Sequence, residues 1–220
     1  MKKQKKIELY AGLGLLMAFV LWTLLVRRID RQGIGPNGSQ VGFAALNGWF
    51  HAHTEVHFFL YELTDLFSLL PLCLILVFAL MGLVQWIKRG SPWRVDRDIL
   101  ALGIFYTVVM AIYVFFEIAV VNYRPVLIEG KLEASYPSST TVLVICVMLT
   151  ACMIFHRRIQ NKCLDRMVCA VIWAFTAFMV IGRLLSGVHW LTDIIGGALL
   201  GAALVTLYYF FATKINKKSH

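Results

Sequence analysis

Six long apolar runs restrict the folds open to this chain more than any other feature. They are Leu9–Val26, Phe67–Ile87, Ile99–Val121, Ser138–Phe155, Met167–Leu185 and Trp190–Ala212. Each reaches the roughly 17–25 residues that a helix needs to cross a hydrocarbon layer about 30 Å thick. Because 60% of the 220 residues are apolar and only 15% are charged, an ordinary soluble domain is excluded. The sequence predicts an all-α integral membrane bundle of six transmembrane helices, with residues 1–220 forming a single transmembrane domain.

The positive charge is divided unevenly between the two sides of such a bundle. The formal net charge of +9 would suit nucleic-acid binding only if the basic residues shared one surface. Six spans instead place both termini on one side, together with fifteen basic residues: Lys2, Lys3, Lys5, Lys6, Lys88, Arg89, Arg94, Arg97, Arg157, Arg158, Lys162, Arg166, Lys214, Lys217 and Lys218. The other side has six: Arg27, Arg28, Arg31, Arg124, Lys131 and Arg183. The positive-inside rule then predicts cytoplasmic termini in a multi-pass cell-membrane protein that binds no nucleic acid.

The first apolar run follows several lysines, as the apolar part of a secretion signal does. It is long, however, and Arg27 and Arg28 follow it without a small-residue cleavage site, so a retained anchor is predicted. Residues 27–65 are the longest segment outside a span and fall on the extracytoplasmic side. Within them, the stretch 41–50 mixes apolar and small residues, which suits either an interfacial helix or a lid over a site.

Two sets of residues have metal-binding side chains, but neither has the spacing of a metal site. His51, His53 and His57 lie on either side of Glu55, and only two of these histidines share a helical face. No third ligand is evident, so an interfacial role is preferred to a metal site. The cysteines lie in or at the ends of apolar runs and are interpreted as small buried hydrophobic residues: Cys73, Cys146, Cys152, Cys163 and Cys169. No metal and no cofactor is predicted.

Polar residues interrupt the apolar pattern at three places, all on the predicted extracytoplasmic side. The first is the sequence Asn-Tyr-Arg-Pro at 122–125, where Pro125 is expected to end the third helix and leave Arg124 at its rim. The second is Tyr-Pro-Ser-Ser-Thr-Thr at 136–141. A proline followed by hydroxyl residues is typical of a helix N-terminus, where free amides favour an anion.

The third polar segment, residues 183–193, lies between the last two runs. If His189 opens a helix, Asp193 follows one turn later on the same face, where it can accept the Nδ1 proton and leave Nε2 free. Arg183 adds a fixed cation whose fork suits phosphate oxygens. A histidine oriented by a carboxylate, beside arginines and free helix amides, predicts phosphoryl chemistry at a membrane surface.

The order Arg-Pro, Pro-Ser and Arg-x5-His-x3-Asp resembles the type 2 phosphatidic acid phosphatase superfamily of membrane lipid phosphatases, over about residues 117–212. The resemblance implies six transmembrane helices and a metal-independent reaction. It also implies that His189 is the nucleophile that forms a phosphohistidine and that Asp193 orients it. The implied phosphate-binding residues are Arg124, Arg183, Ser138, Ser139 and Thr140.

Two departures from that family pattern concern the chemistry. Family members usually carry a lysine seven residues before the first arginine, where this chain has Glu117, and a histidine after Pro-Ser-Ser, where it has Thr140. That histidine normally protonates the leaving group, and general acid catalysis is worth about 10²–10⁴-fold. Glu117 is expected either to pair with an arginine of the site or to donate the missing proton.

The missing histidine determines which substrates are expected. An alkyl phosphate has an alkoxide leaving group that needs a proton, whereas a diphosphate releases a phosphate whose second pKa is about 6. The predicted function is hydrolysis of a lipid phosphate or, preferentially, an isoprenoid-type lipid diphosphate at the extracytoplasmic face. Two alternatives stay open: an impaired family member that binds or translocates phospholipid headgroups, and a phosphotransferase.

Overall fold

Helices make up most of this computed structural model, which describes residues 2–217, with side chains described for residues 6–213. The α-helices are α1 (Lys2–Arg28), α2 (Ala44–Thr54), α3 (Phe58–Phe67), α4 (Leu69–Arg89), α5 (Arg97–Ile118), α6 (Ser139–Arg158), α7 (Lys162–Leu185) and α8 (Leu191–Lys217). Over these residues β-structure is limited to isolated bridges. Six segments are long and apolar enough to cross a membrane, with α3 and α4 together forming one of them. The predicted six-helix, all-α architecture is confirmed, and the protein is a multi-pass membrane protein.

The most buried helices, α6 and α8, pack closely because small residues line their contact. The four-residue spacing of Gly197 and Gly201 predicts a close helix contact within the chain. A Cβ atom at Gly201 would lie 2.9 Å from the side chain of Ile145, and one at Gly197 would lie 3.0 Å from the carbonyl oxygen of Ser138. The contact is therefore intramolecular, and it holds the beginning of α6 beside the beginning of α8.

The second membrane-spanning segment is longer than its apolar pattern predicts. The run Phe67–Ile87 corresponds to α4, but α3 extends the segment back to Phe58, with only Ser68 between the two helices. Thr64 and Asp65 interrupt the apolar pattern of α3, because their side chains bind an arginine of another helix. The outer segment predicted at 27–65 therefore contains α2 and most of α3.

Helix α2 confirms that a helix forms in the stretch 41–50, and it packs on the beginning of α8. Asn47 is fully buried, and its Nδ2 donates to Oγ1 of Thr192 at 2.9 Å. The ring of His51 lies 5.4 Å from the ring of Trp190. Helix α2 therefore covers the end of the bundle at which α8 begins.

The three histidines of the outer segment do not gather into a metal site. The Nδ1 atom of His53 lies 2.7 Å from the carbonyl oxygen of Trp49 in its own helix, while His51 packs against the bundle. Among the described side chains, His51, His53 and His57 form no shared set of ligands.

The interpretation of the cysteines as buried hydrophobic residues is wrong for most of them. Cys146 is fully buried, but Cys73 and Cys163 are exposed. Cys152 and Cys169 are half-buried, with their Sγ atoms 2.8 Å apart. Sequence spacing did not reveal this contact because it joins two different helices, α6 and α7.

The orientation of the bundle in the membrane stays a prediction from the charge distribution. The helices place the loops α4–α5 and α6–α7 at the end of the bundle away from the beginnings of α6 and α8. The basic side chains predicted at the chain ends lie outside the described side chains: Lys2, Lys3, Lys5, Lys214, Lys217 and Lys218.

Candidate active site

His189 lies in the connection between α7 and α8 and is not part of a helix. This connection is formed by residues 186–190 and α8 begins at Leu191, so the expectation that His189 opens the helix is wrong. The chain turns at Gly187, whose φ is +70° and where a Cβ atom would lie 1.9 Å from the carbonyl oxygen of Glu55. Only glycine suits both conditions. The turn directs His189 inward, and this residue is 3% exposed.

A serine, and not the predicted carboxylate, contacts the histidine. The Oγ atom of Ser135 lies 2.9 Å from Nδ1 of His189 and donates a hydrogen bond to Oδ2 of Asp193 at 2.5 Å. Since the serine proton goes to the carboxylate, Oγ accepts the proton of Nδ1, and Nε2 keeps a free lone pair. The same tautomer that a direct carboxylate contact would select is therefore selected through Ser135.

Asp193 stabilises the beginning of α8 while it binds Ser135. Its Oδ2 accepts the backbone N–H of Trp190 at 3.1 Å, as the third-position carboxylate of a capping box does. Its Oδ1 accepts Nδ2 of Asn122 at 3.0 Å. The carboxylate oxygens thus accept hydrogen bonds from Ser135, Trp190 and Asn122, and the predicted direct contact with His189 is absent. Asp193 orients the histidine only through Ser135.

The segment between α5 and α6 folds back and brings Ser135 to the site. Helix α5 ends at Ile118, because Ala119 has non-helical backbone angles, so the expectation that Pro125 ends this helix is wrong. The chain then reverses, and the backbone N–H of Ser135 donates to the carbonyl of Asn122 at 2.9 Å. Positions on either side of Ile118 therefore do not share a helical face.

Arg183 connects α7 to both α3 and α6. It is 2% exposed, and its Nη2 donates to Oδ1 of Asp65 at 3.0 Å and to Oγ1 of Thr140 at 2.9 Å. Its guanidinium carbon lies 4.8 Å from the ring centroid of Tyr61. Its Nε atom is buried without a hydrogen-bond partner among the described residues. Arg183 is thus fixed in place with one donor still free.

Arg124 approaches the same aromatic ring and is also buried. Its Nε lies 3.1 Å from Oε2 of Glu133, its guanidinium carbon is 6.0 Å from the ring centroid of Tyr61, and its Nη1 has no described hydrogen-bond partner. The acidic partners of the two arginines are thus Glu133 and Asp65. No described ion pair involves Glu117, so its predicted pairing with an arginine is wrong. The reason is that α5 ends between Glu117 and Arg124.

Helix α6 begins at Ser139, as the proline and hydroxyl residues before it predict. Ser138 is its N-cap and accepts a hydrogen bond from Oγ1 of Thr141 at 3.0 Å. The backbone amides of Ser139 and Thr140 precede the first intrahelical hydrogen bond, so they and the helix dipole favour an anion. The Thr140 hydroxyl accepts a hydrogen bond from Arg183. Thr140 therefore helps to fix the arginine and does not replace the family's histidine.

A cavity of about 230 Å³ adjoins these residues. Its polar lining includes Glu117, Ser135, Ser139 and Thr140. Its apolar lining comes from α4, α5 and α6, for example Leu72, Val109, Met110, Val142 and Leu143. A cavity with this lining suits a molecule that carries both a polar group and an apolar chain.

The surroundings of His189 keep its ring neutral. Burial, together with the positive charges of Arg124 and Arg183, holds the pKa of His189 well below its usual value of 6.5. The hydrogen bond with Ser135 acts in the opposite direction but is the smallest of these effects. At pH 7 the imidazole is therefore in the form whose Nε2 can attack a phosphorus atom.

The sequence of the last four helices matches a known protein family. The sequence fits the family model described as the PAP2 superfamily over residues 100–217, which include α5 to α8. The chain belongs to the PAP2 superfamily. PAP2 stands for the type 2 phosphatidic acid phosphatases, so the resemblance found in the motifs is confirmed. The matched residues contain His189, Asp193 and both arginines of the site.

The fold is similar to that of a crystallised PAP2 protein, the first transmembrane PAP2-type phosphatidylglycerolphosphate phosphatase from Bacillus subtilis. The TM-score is 0.67 at 18% sequence identity, and the match covers 94% of this chain and 98% of that chain. At this identity the similarity shows the fold alone, and this similarity of fold includes the helices before residue 100. None of the curated proteins matches the chain significantly.

Several residues of the PAP2 site were not predicted from the sequence. Ser135 stands directly before the Tyr-Pro-Ser-Ser motif, and its hydroxyl group next to that motif was the only signal. Asp65, Glu133 and Tyr61 carried a weaker signal. They are polar residues of the predicted outer side, where two buried arginines need counter-charges.

Proposed function

We propose that this PAP2 protein hydrolyses a lipid phosphate or, preferentially, an isoprenoid-type lipid diphosphate, with His189 as the nucleophile. One observation carries this proposal: Nε2 of His189, Nη1 of Arg124 and Nε of Arg183 are all buried without described hydrogen-bond partners. Buried polar groups are normally paired. The positive charges of both arginines act on His189, so the three groups lie in one electrostatic environment. Two cationic donors and a nucleophilic lone pair in such an arrangement suit a phosphate group. The distribution of basic residues supports the proposal that the site faces the extracytoplasmic side.

The proposed reaction has two steps. In the first, Nε2 of His189 attacks the phosphorus, the bond from phosphorus to the leaving oxygen breaks, and a phosphohistidine forms. The ring becomes positively charged, and Ser135 and Asp193 stabilise it through Nδ1. In the second, water attacks the phosphorus, its proton is released, and Nε2 is regenerated. The arginines and the α6 amides stabilise the charge on the three phosphoryl oxygens in both steps.

The leaving group determines the preferred substrate. Thr140 occupies the position of the family's general acid, and its hydroxyl is far too weak an acid to protonate an alkoxide. Glu117 is the candidate for the missing proton donor, because it lines the same cavity as Thr140 and has no described arginine partner. A diphosphate needs such a donor less, since its phosphate leaving group departs largely unprotonated at neutral pH.

We expect the purified protein to release phosphate faster from a polyisoprenyl diphosphate than from a phosphatidate-like monoester. Thr140→His should raise monoester turnover by about 10²-fold or more by restoring a general acid, with a smaller effect on the diphosphate. Both substrates are compared at equal detergent-to-lipid ratio, with initial rates of phosphate release as the measurement. A wild-type rate on the monoester equal to or above the rate on the diphosphate would contradict the proposed preference.

Glu117→Gln tests whether Glu117 donates the proton to the leaving group. If Glu117 protonates the leaving group, this variant loses monoester turnover and keeps most diphosphate turnover, while Glu129→Gln, an exposed acid of the same outer side, loses neither. Equal losses on both substrates would assign Glu117 to binding instead. Headgroup binding without any phosphate release would favour the non-hydrolytic alternative, and phosphoryl transfer to an acceptor other than water would favour the phosphotransferase.

The low pKa of His189 leads to an expectation about pH. Protonation removes the nucleophile, and because the pKa lies below 6.5, kcat/KM should be maintained down to a more acidic pH than a free histidine would allow. Arg124→Gln removes one of the charges that lower this pKa, so the acid limb should move to higher pH. Rates from pH 4.5 to 8, roughly spanning the usual histidine range, test this.

The matched control is Arg31→Gln, which removes an exposed arginine of the same outer side. Its acid limb should coincide with that of the wild type. Because the second pKa of a phosphate is itself about 6, the comparison between variants is decisive and not the absolute position of the limb. An acid limb that stays in place in Arg124→Gln contradicts the assignment.

A further inference from the structure

A second cluster of polar side chains lies at the far ends of α6 and α7. Cys152 and His156 are four residues apart on α6, and Asp165 and Cys169 are four residues apart on α7. Residues at this spacing share one helical face. The cluster is far from the active site, since α6 rises about 24 Å between Thr140 and His156.

The four side chains form a continuous series of contacts between the two helices. Nδ1 of His156 lies 2.8 Å from Oδ2 of Asp165. Oδ1 of the same carboxylate lies 3.8 Å from Sγ of Cys169, which in turn is 2.8 Å from Sγ of Cys152. One potential ligand atom from each of His156, Asp165 and Cys169 lies within 4.8 Å of the other two. His156, Asp165 and Cys169 therefore converge between α6 and α7, and Cys152 lies beside them through its contact with Cys169.

A tetrahedral ion would set the distances between the ligand atoms of this cluster. Zinc binds thiolate at about 2.3 Å and imidazole or carboxylate at about 2.0–2.2 Å, so two ligands of one ion lie roughly 3.3–3.8 Å apart. The separation of 3.8 Å between Asp165 and Cys169 agrees with these values, whereas the separations of 2.8 Å between His156 and Asp165 and between Cys169 and Cys152 are shorter and would have to widen when an ion binds. The cysteines are half-buried and His156 is exposed, so an ion could reach the cluster from solvent.

We propose that Cys152, His156, Asp165 and Cys169 bind one zinc ion that joins α6 to α7. Two thiolates and an imidazole exclude magnesium and calcium, which bind oxygen ligands, and a carboxylate as the fourth ligand favours zinc over monovalent copper. Four protein ligands make a closed structural site. The charge of two thiolates and a carboxylate is offset by the ion and by flanking basic residues: Arg157, Arg158, Lys162 and Arg166.

The ion would stabilise the packing of α6 against α7 and would take no part in the reaction. The loop between α6 and α7 is short, and a zinc clamp would fix the relative position of the two helices at this end. At their other ends the same helices carry Thr140 and Arg183, which bind each other. Zinc binding would therefore contribute to the register that keeps the arginine in the active site.

Cobalt titration of the reduced, full-length protein in detergent tests the proposal. After removal of metal by a chelator, Co²⁺ should bind at one equivalent and give the visible bands of a tetrahedral ion with a thiolate charge-transfer band, and Zn²⁺ should displace it. Cys169→Ser and His156→Ala should each weaken binding at least tenfold. Cys163→Ser, an exposed cysteine of the same helix, should bind as the wild type does.

Three results would overturn the proposal. The first is the absence of these bands in the wild type, and the second is an unchanged titration in both Cys169→Ser and His156→Ala. The third is a Cys152–Cys169 disulfide, found by mass spectrometry in protein alkylated at lysis, because oxidised sulfurs are not thiolate ligands. The side chain of His156 is 70% exposed, so His156→Ala keeps the test valid even if a cysteine variant fails to fold.

Discussion

Replacing His189 by alanine is expected to lower phosphate release by about 10⁴-fold or more, because the group that forms the covalent intermediate is removed. The arginines and the α6 amides remain, so substrate binding should change little. The rate is measured as phosphate released from a lipid diphosphate by purified protein. A second measurement uses substrate labelled at the terminal phosphate and protein quenched in alkali, in which a phosphohistidine survives.

The label should be found on the wild-type protein and be absent from His189→Ala. His53→Ala is the matched control, since His53 is an exposed histidine of helix α2. It should keep both full activity and the label. Retention of more than about a tenth of the activity in His189→Ala would assign the attack to another group, because losing a nucleophile costs far more than that.

Replacing Ser135 by alanine is expected to lower kcat by about 10²–10⁴-fold, although Ser135 forms no bond to phosphorus. Without the hydroxyl, the N–H at Nδ1 of His189 loses the acceptor that connects it to Asp193, and tautomers protonated at Nε2 become populated. The expected loss is in kcat, with headgroup binding retained. Ser135→Thr keeps a hydroxyl group and should recover a large part of the rate.

The double variant of Ser135→Ala and Asp193→Asn provides a further test. If both residues act through the same hydrogen-bonded series, their effects on kcat should be strongly non-additive. A loss of less than tenfold in Ser135→Ala would contradict the role of this serine, as would full additivity in the double variant. The matched control, Ser139→Ala, keeps the backbone amide that the site uses, and its losses should be far smaller.

The membrane architecture could be predicted because hydropathy is a local property of each run. The beginning of α6 was equally predictable, since a proline and a capping serine act within a few residues. Glu117 and Arg124 show where this reasoning stops. The sequence predicts one helix that continues to Pro125 and would carry both residues, but α5 ends at Ile118, before the segment that folds back through the hydrogen bond from Ser135 to Asn122.

Ser135 and Asp65 were missed for a related reason. Each reaches the site through tertiary contacts, one by reversal of the α5–α6 segment and the other by packing of α3 against α7. Contacts of this kind leave no periodic signal in one sequence. The motif residues themselves carried the prediction of a phosphate site, whereas their supporting partners required the folded chain.

The ion pairs of the two arginines have a consequence for turnover. Asp65 and Glu133, whose side chains are 58% and 40% exposed, neutralise the arginines in the ligand-free protein. In the proposed reaction, the phosphate would bind the donors that these carboxylates leave free, Nη1 of Arg124 and Nε of Arg183, while two negative charges already lie beside it. Because the carboxylates offset the positive charge of the arginines, free phosphate would be held less tightly after the proposed hydrolysis than two unpaired arginines would hold it, and it would leave the site sooner.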